Sequence, residues 1–126
     1  MSFPEHLKYT KDHEWILIDG DTGTIGITDY AQGELGDVVF VELPAVGRQL
    51  KQHETFGTIE AVKAVSDLFA PVSGTVLEVN KELESVAETV NKDPYGKGWM
   101  VKVKLTAPGE VAALLNAEAY KALVGQ

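Results

Sequence analysis

One lysine near the middle of the chain, Lys63, stands where other proteins could act on its amine. It lies in the stretch 57–74, GTIEAVKAVSDLFAPVSG, with β-forming runs on both sides. Two strands that meet at a short turn would place this lysine at or beside a hairpin tip. Such a tip projects a side chain into solvent on a rigid base, where a partner protein can reach it. The alternative is an ordinary surface lysine, as most lysines are.

Side-chain patterns typical of catalysis are scarce in the rest of the sequence. His6, His13 and His53 are scattered, and none has a partner histidine at metal-ligand spacing. No serine lies in a nucleophile-elbow context, and the glycines mark turns instead of a phosphate-binding loop. The sequence therefore predicts a protein that is not an enzyme and holds no metal.

The remaining elements must build a scaffold under the lysine. Strand-like runs cover 13–18, 24–27, 37–43, 54–60, 65–69, 74–79 and 99–105, with turn residues between them. Thr28 or Asp29 is predicted to cap a single helical turn that Gly33 ends. Residues 1–12 are polar and are predicted to form a short lead-in.

The end of the chain changes character. After Pro108 and Gly109, apolar residues recur at helical spacing, at Val111, Leu115, Ala119 and Ala122/Leu123. This pattern predicts one α-helix over about 109–124, with one apolar stripe docked on the β unit.

An internal repeat gives the arrangement of the strands. Residues 35–41, LGDVVFV, and 73–79, SGTVLEV, share a glycine followed by an apolar strand, 38 positions apart, and Lys63 falls between them. The repeat favours a mainly β fold in which two pseudo-symmetric halves pair as a flattened barrel or sandwich, with short helices and the C-terminal α-helix. Chance is the alternative, since any β-rich chain offers some glycine–valine matches.

Composition limits the classes of function. A chain of 126 residues suits a single domain over 1–126, and the formal charge of −8 argues against nucleic acid, which needs a basic surface. The sequence has no cysteine, so disulfides are excluded. It shows no targeting signal and no apolar run long enough to span a membrane, so we expect a cytoplasmic location.

Motifs spread along the chain resemble a known family. The segment 60–64, EAVKA, is followed by Ser66, Asp67 and 70–76, APVSGTV, which together resemble the lipoylation segment of the glycine cleavage system H protein family. Other landmarks of that family recur in the same order at 13–15, 26–32, 35–37, Asn80, 91–96, 98–99 and 117–121. The resemblance covers nearly the whole chain, and the small departure is Ala61, where serine is common in the family.

Two related carrier classes resemble this chain less closely. A biotinyl carrier domain would carry Met on both sides of the lysine, where this chain has Val62 and Ala64. A lipoyl domain of a 2-oxoacid dehydrogenase would usually have Asp before the Lys-Ala pair and would lack the helical tail.

The resemblance implies a mainly β, flattened barrel-sandwich hybrid of the lipoyl/biotinyl-carrier kind. It also implies a carrier whose Lys63 bears lipoate in amide linkage. Its reactive end would lie roughly 12–14 Å from the lysine Cα, from about ten bonds of about 1.5 Å. The implied partners are glycine decarboxylase (P protein), the tetrahydrofolate-dependent aminomethyltransferase (T protein) and dihydrolipoyl dehydrogenase (L protein). The carrier would take the aminomethyl group from the first to the second and then electrons to the third. A lipoate ligase or a lipoyl/octanoyl transferase would attach the cofactor.

The resemblance also implies a cleft that shields the loaded arm from water. By position, Glu14 and Asp67 would meet the positive amine of the load, although Glu14 could equally be an exposed strand residue. Two other functions stay open: a lipoyl donor that serves lipoylation of other enzymes, and an unmodified interaction module with an inert Lys63.

Overall fold

The structure is a computed structural model that describes residues 2–126. Within these residues, the chain forms nine strands and four α-helices. The strands are β1 Lys8–Tyr9, β2 Glu14–Asp19, β3 Thr22–Ile27, β4 Val38–Glu42, β5 Gln49–Leu50, β6 Thr55–Ala61, β7 Ala64–Phe69, β8 Gly74–Val79 and β9 Val101–Leu105. The helices are α1 Asp29–Leu35, α2 Glu82–Ser85, α3 Thr89–Lys92 and α4 Ala117–Leu123, with a 3₁₀ helix at Pro108–Ala113.

The strands form two antiparallel sheets, which confirms the mainly β prediction. The larger sheet has the order β1-β2-β3-β9-β8-β5, and the smaller has the order β4-β6-β7. The two strands of the sequence repeat, β4 and β8, lie in different sheets. A pseudo-two-fold relation between the halves stays a prediction.

The main hydrophobic core takes side chains from both sheets. Ile16 and Ile25 come from the larger sheet, and Val41, Ile59 and Leu68 come from the smaller one. Each of these five side chains is at most 2 % exposed. The two sheets therefore share one core. The smaller sheet, whose β6–β7 turn contains Lys63, packs against the larger sheet through this core.

A second, aromatic cluster joins the two ends of the chain. It contains Leu7, Tyr9, Trp15, Ala117 and Tyr120, all buried. The Tyr9 and Tyr120 rings stack with their centroids 4.8 Å apart. The prediction of a polar lead-in over residues 1–12 is therefore wrong, because this segment contains β1 and two core side chains.

The helix predicted over 109–124 is also wrong in its extent. Leu114 is extended, and the Leu115 N–H donates to the Tyr9 carbonyl at 2.8 Å while the Tyr9 N–H donates back at 2.8 Å. This bridge to β1 uses backbone groups that a continuous helix would need, so a 3₁₀ helix precedes it and α4 follows it. The Asn116 side chain begins α4 by accepting from the Ala119 N–H at 2.8 Å.

The predicted apolar stripe of this helix changes with it. In α4 the buried residues are Ala117 and Tyr120, whereas Leu123 is 52 % exposed. Ala119 and Ala122 are exposed too. The helix does dock on the β unit, through the aromatic cluster instead of through the predicted stripe.

Helix α1 begins as predicted and ends later than predicted. The Thr28 hydroxyl accepts from the Ala31 N–H at 3.1 Å, which confirms Thr28 as the cap. Gly33 does not end the helix, which continues to Leu35 and stops at Gly36, where φ is 82°. Within residues 2–126, no helix combines the length and the apolar character needed to cross a membrane.

Candidate functional site

Lys63 lies at the tip of the β6–β7 hairpin. Ala61 pairs with Ala64, so only Val62 and Lys63 form the turn. Lys63 is exposed, and Val62 is 74 % exposed. The predicted position of the lysine is confirmed, and its amine is open to other proteins.

The tip is tied to the start of β4. The Val62 N–H donates to the Asp37 carbonyl at 3.0 Å, so one of the two turn residues is held by the neighbouring strand. Gly36, next in the chain, lies under the lysine: a Cβ atom placed there would come within 2.8 Å of the Lys63 Cε. Because Gly36 has no side chain, the aliphatic part of the Lys63 side chain can lie directly against its backbone.

One amide side chain from α3 fixes this base. The Asn91 Nδ2 group donates to the Gly36 carbonyl at 2.9 Å and to Gln32 Oε1 at 3.0 Å. Its Oδ1 accepts from the Val38 N–H at 2.8 Å. Asn91 thus holds together the end of α1 and the start of β4, the segment on which the hairpin tip rests.

Within residues 2–126, Lys63 makes no salt bridge and no side-chain hydrogen bond. Acylation of its amine would therefore break no salt bridge and no hydrogen bond of these residues. An exposed amine on a fixed turn has the features needed to accept a tethered group, and these residues fit a lipoyl-lysine.

A cavity of about 180 Å³ opens beside the hairpin. It lies between β7, the start of β2 and α1. Its charged and titratable lining residues are Asp12, His13, Glu14, Glu34 and Asp67. Since this lining contains four carboxylic acids and no lysine or arginine, the cavity favours a cationic group.

Glu14 lies inside the protein, which makes the alternative of an exposed strand residue wrong. Its side chain is 2 % exposed. The Thr10 hydroxyl donates to Oε1 at 2.7 Å, and the Phe69 N–H donates to Oε2 at 3.3 Å. Burial raises the pKa of Glu14 to about 8, with the hydrogen bonds from Thr10 and Phe69 opposing the shift. A cation that entered the cavity would favour the ionised form.

Asp67 also lines the cavity and is exposed. Asp67 pairs with Thr58 and Ser66 pairs with Ile59, so the alternation of a strand puts the Asp67 and Ser66 side chains on opposite faces of the sheet. Ser66 shares its face with the buried Ile59, which also lines the cavity, so Ser66 belongs to the wall and the exposed Asp67 belongs to the rim. Asp67 lies four residues from Lys63, or about 13 Å along an extended strand. That span is comparable with the expected length of a lipoyl arm.

The cavity includes residues that sequence reasoning missed as site residues. Glu34 projects from α1, and Ser66 comes from β7. His13 lines it as well and has a φ of 72°, unusual for a residue with a side chain. No spacing rule connects these positions, because only the fold brings α1, β2 and β7 together.

Two sheets around one core, with an exposed lysine at a hairpin tip, are the features of a carrier domain. A family model described as "Glycine cleavage H-protein" matches residues 7–126. The glycine cleavage system H protein of Chlorobium luteolum is 65% identical, over 99% of each chain. That of Staphylococcus carnosus is 56% identical, over 100% of each chain. The crystal structure of a glycine cleavage system H protein from Mycobacterium marinum has a TM-score of 0.90 and 43% identity, covering 98% of this chain and 99% of that one.

The chain therefore belongs to the glycine cleavage H-protein family. It is a lipoate-bearing carrier protein of the glycine cleavage system and not a catalyst. The system's P, T and L proteins are its partners.

Proposed function

We propose that Lys63 is the lipoate attachment residue of this carrier. The observation that supports it most is the exposed Lys63 amine on a two-residue turn, next to the closing pair Ala61 and Ala64. An amine there can enter the active site of the ligase or transferase that forms the amide. The lipoyl group supplies a dithiolane that accepts the aminomethyl group and then returns electrons as a dithiol.

The protein's own contribution to the shuttle is positioning. The hairpin roots the arm at one fixed point, so each partner enzyme meets the cofactor at a high local concentration instead of by free diffusion. The bonds from Asn91 and from the Val62 N–H hold that root, while no hydrogen bond or salt bridge within residues 2–126 restrains the Lys63 amine. A rigid root and a free arm suit successive visits to P, T and L proteins.

We further propose that the acidic cavity shelters the loaded arm. Glu14 would face the cationic aminomethyl group as a carboxylate, and Asp67 would add negative charge at the rim. Ile27, Ile59 and Leu68 supply apolar walls that exclude water. Water attack on the load gives formaldehyde, ammonia and the free thiol, so exclusion of water preserves the cargo.

Intact-protein mass spectrometry tests the attachment residue. After incubation with a lipoate ligase, lipoate and ATP, we expect one lipoyl addition to the wild-type chain and none to Lys63→Arg. Lys51→Arg is the matched control, because Lys51 is an exposed lysine in the turn between β5 and β6. The proposal fails if Lys63→Arg is still modified, or if it still supports glycine-dependent CO2 release with the partner enzymes.

We also propose a cytoplasmic location. The chain belongs to a metabolic system, and its relatives from Chlorobium luteolum and Staphylococcus carnosus are bacterial proteins, which supports this location. Fractionation with a tagged chain tests it, and recovery in the periplasmic or membrane fraction would refute it.

A further inference from the structure

The hydroxyl of Tyr120 in α4 connects the C-terminal helix to the walls of the acidic cavity. Tyr120 is fully buried, and its hydroxyl lies 2.8 Å from His13 Nδ1 and 2.8 Å from the Thr28 Oγ1. His13 precedes the cavity residue Glu14, and Thr28 caps α1. One buried hydroxyl therefore contacts the starts of two elements that line the cavity.

The donors and acceptors around Tyr120 form a consistent chain. The Ala31 N–H donates to the Thr28 Oγ1. If Thr28 donates to Tyr120 and Tyr120 donates to His13 Nδ1, each hydroxyl gives one hydrogen bond and receives one. This assignment needs neutral His13 with its proton on Nε2, and burial lowers the pKa of His13 accordingly.

His13 is held in a backbone conformation that residues with side chains rarely adopt. Its φ is 72°. Its N–H donates to the Thr10 carbonyl at 3.1 Å, and its carbonyl accepts from the Thr28 N–H at 3.0 Å. This kink directs the next residue, Glu14, toward the interior. An unusual conformation of this kind persists only when its surroundings hold it.

We propose that Tyr120 is a positioning residue for the cavity: its hydroxyl holds His13 and the start of α1, and thereby sets the place of Glu14. The inference rests on the proposed sheltering of the loaded arm. It assigns a role to the C-terminal helix, which does not line the cavity. Tyr120 touches neither cofactor nor load and acts through His13 and Thr28.

The test uses the lipoylated carrier loaded with the aminomethyl group, and measures formaldehyde release in the absence of T protein. We expect Tyr120→Phe to release formaldehyde about three- to tenfold faster than wild type, because the change removes the hydrogen bonds of this hydroxyl to His13 and Thr28. Tyr9→Phe is the matched control: its ring stacks on Tyr120, and its hydroxyl donates to the Pro4 carbonyl at 2.7 Å, away from His13. We expect Tyr9→Phe to release at the wild-type rate.

A double-mutant cycle separates positioning from a general loss of stability. His13→Ala should accelerate release by itself, and Tyr120→Phe should add less in that background than in the wild type, because the bond to His13 is already lost and only the bond to Thr28 remains to be broken. The His13 Nδ1 NMR signal should shift in Tyr120→Phe and stay in place in Tyr9→Phe. Lipoylation of Lys63 should be unchanged in all three single variants.

Glu14→Gln distinguishes the two proposals. If Glu14→Gln accelerates release while Tyr120→Phe matches Tyr9→Phe, the positioning role is wrong and the sheltering stands. Additive effects of His13→Ala and Tyr120→Phe would also overturn the positioning role. If Glu14→Gln leaves release unchanged, the sheltering is wrong, and the role of Tyr120 falls with it.

Discussion

The side chain of Lys63 crosses over Gly36, the residue that ends α1. A Cβ on Gly36 would lie 2.8 Å from the Lys63 Cε and 3.7 Å from its Nζ. The hairpin tip and the end of α1 are therefore built against each other, although 27 positions separate them in the sequence. The same glycine has φ 82° and ψ −158°, a region that only glycine occupies readily.

Replacing Gly36 should weaken the fold and spare the chemistry of the lysine. We expect Gly36→Ala to lower the free energy of unfolding by about 1–3 kcal/mol, because the backbone conformation is strained for alanine. The flexible Lys63 stem can move aside, so ligase-dependent lipoylation should persist. Urea denaturation and intact mass measure the two effects.

Gly33→Ala is the matched control, since Gly33 lies inside α1 with no atom near the added Cβ. It should stabilise the protein by about 0.5–1 kcal/mol. Equal stability of Gly36→Ala and wild type would contradict the conformational argument.

Asn91 should control the order of the hairpin base. Asn91→Ala removes the bonds to Gly36, Gln32 and Val38, and we expect a loss of about 1–3 kcal/mol in unfolding free energy. The Val62 amide, which donates to Asp37, should exchange its hydrogen faster relative to the core amide of Ile59.

Asn80→Ala provides the comparison, because Asn80 Nδ2 donates to the Lys97 and Trp99 carbonyls, which belong to neither the hairpin nor its base. It should lower stability without a selective effect on Val62. The quantity to compare is the ratio of the Val62 exchange rate to the Ile59 exchange rate. The role of Asn91 is refuted if this ratio is the same in Asn91→Ala and Asn80→Ala.

Glu14 should make stability depend on pH. Its pKa is raised from 4.5 to about 8 in the folded protein, so the folded state holds this proton more tightly than the unfolded state. The contribution of Glu14 to stability is therefore fully present below about pH 4.5 and is lost as pH rises through about 8. The free energy of unfolding of the wild type minus that of Glu14→Gln should fall by a few kcal/mol as the pH rises from about 4.5 to about 8.

Chemical denaturation at a series of pH values measures that difference. Glu118→Gln, which changes an exposed carboxyl in α4, should track wild type. A wild-type minus Glu14→Gln difference that stays flat between pH 4.5 and 8 would show that the carboxyl is not held in its protonated form.

Gly57 should be needed for the close approach of β4 and β6. A Cβ at Gly57 would overlap the backbone carbonyl oxygen of Glu42, which cannot retreat without breaking the pairing of the two strands. We expect Gly57→Ala to cost about 1–3 kcal/mol of unfolding free energy. Gly109→Ala, with no atom near the added Cβ, should be close to neutral, and similar thermal melting of the two variants would contradict this.

The sequence predicted those features that depend on local patterns. Alternation and turn residues located the major strands, and the Thr28 cap of α1 follows from one side chain and the N–H three residues later. The predicted extent of the C-terminal helix was wrong, because the periodicity of Val111, Leu115 and Ala119 gave no sign of the backbone bridge between Leu115 and Tyr9. Long-range backbone pairing overrode a local helical pattern there.

By itself the sequence determined the hairpin that presents Lys63 and, through its landmarks, the family of carriers to which the chain belongs. These follow from short-range chemistry: β-forming residues around a turn, and a lysine between them. Only the tertiary structure decided that Glu14 is buried, that it faces a cavity with Asp67 and Glu34, and that Tyr120 reaches His13 across 107 positions of chain. Burial and charge proximity arise when distant segments pack together, and no spacing along the chain encodes them.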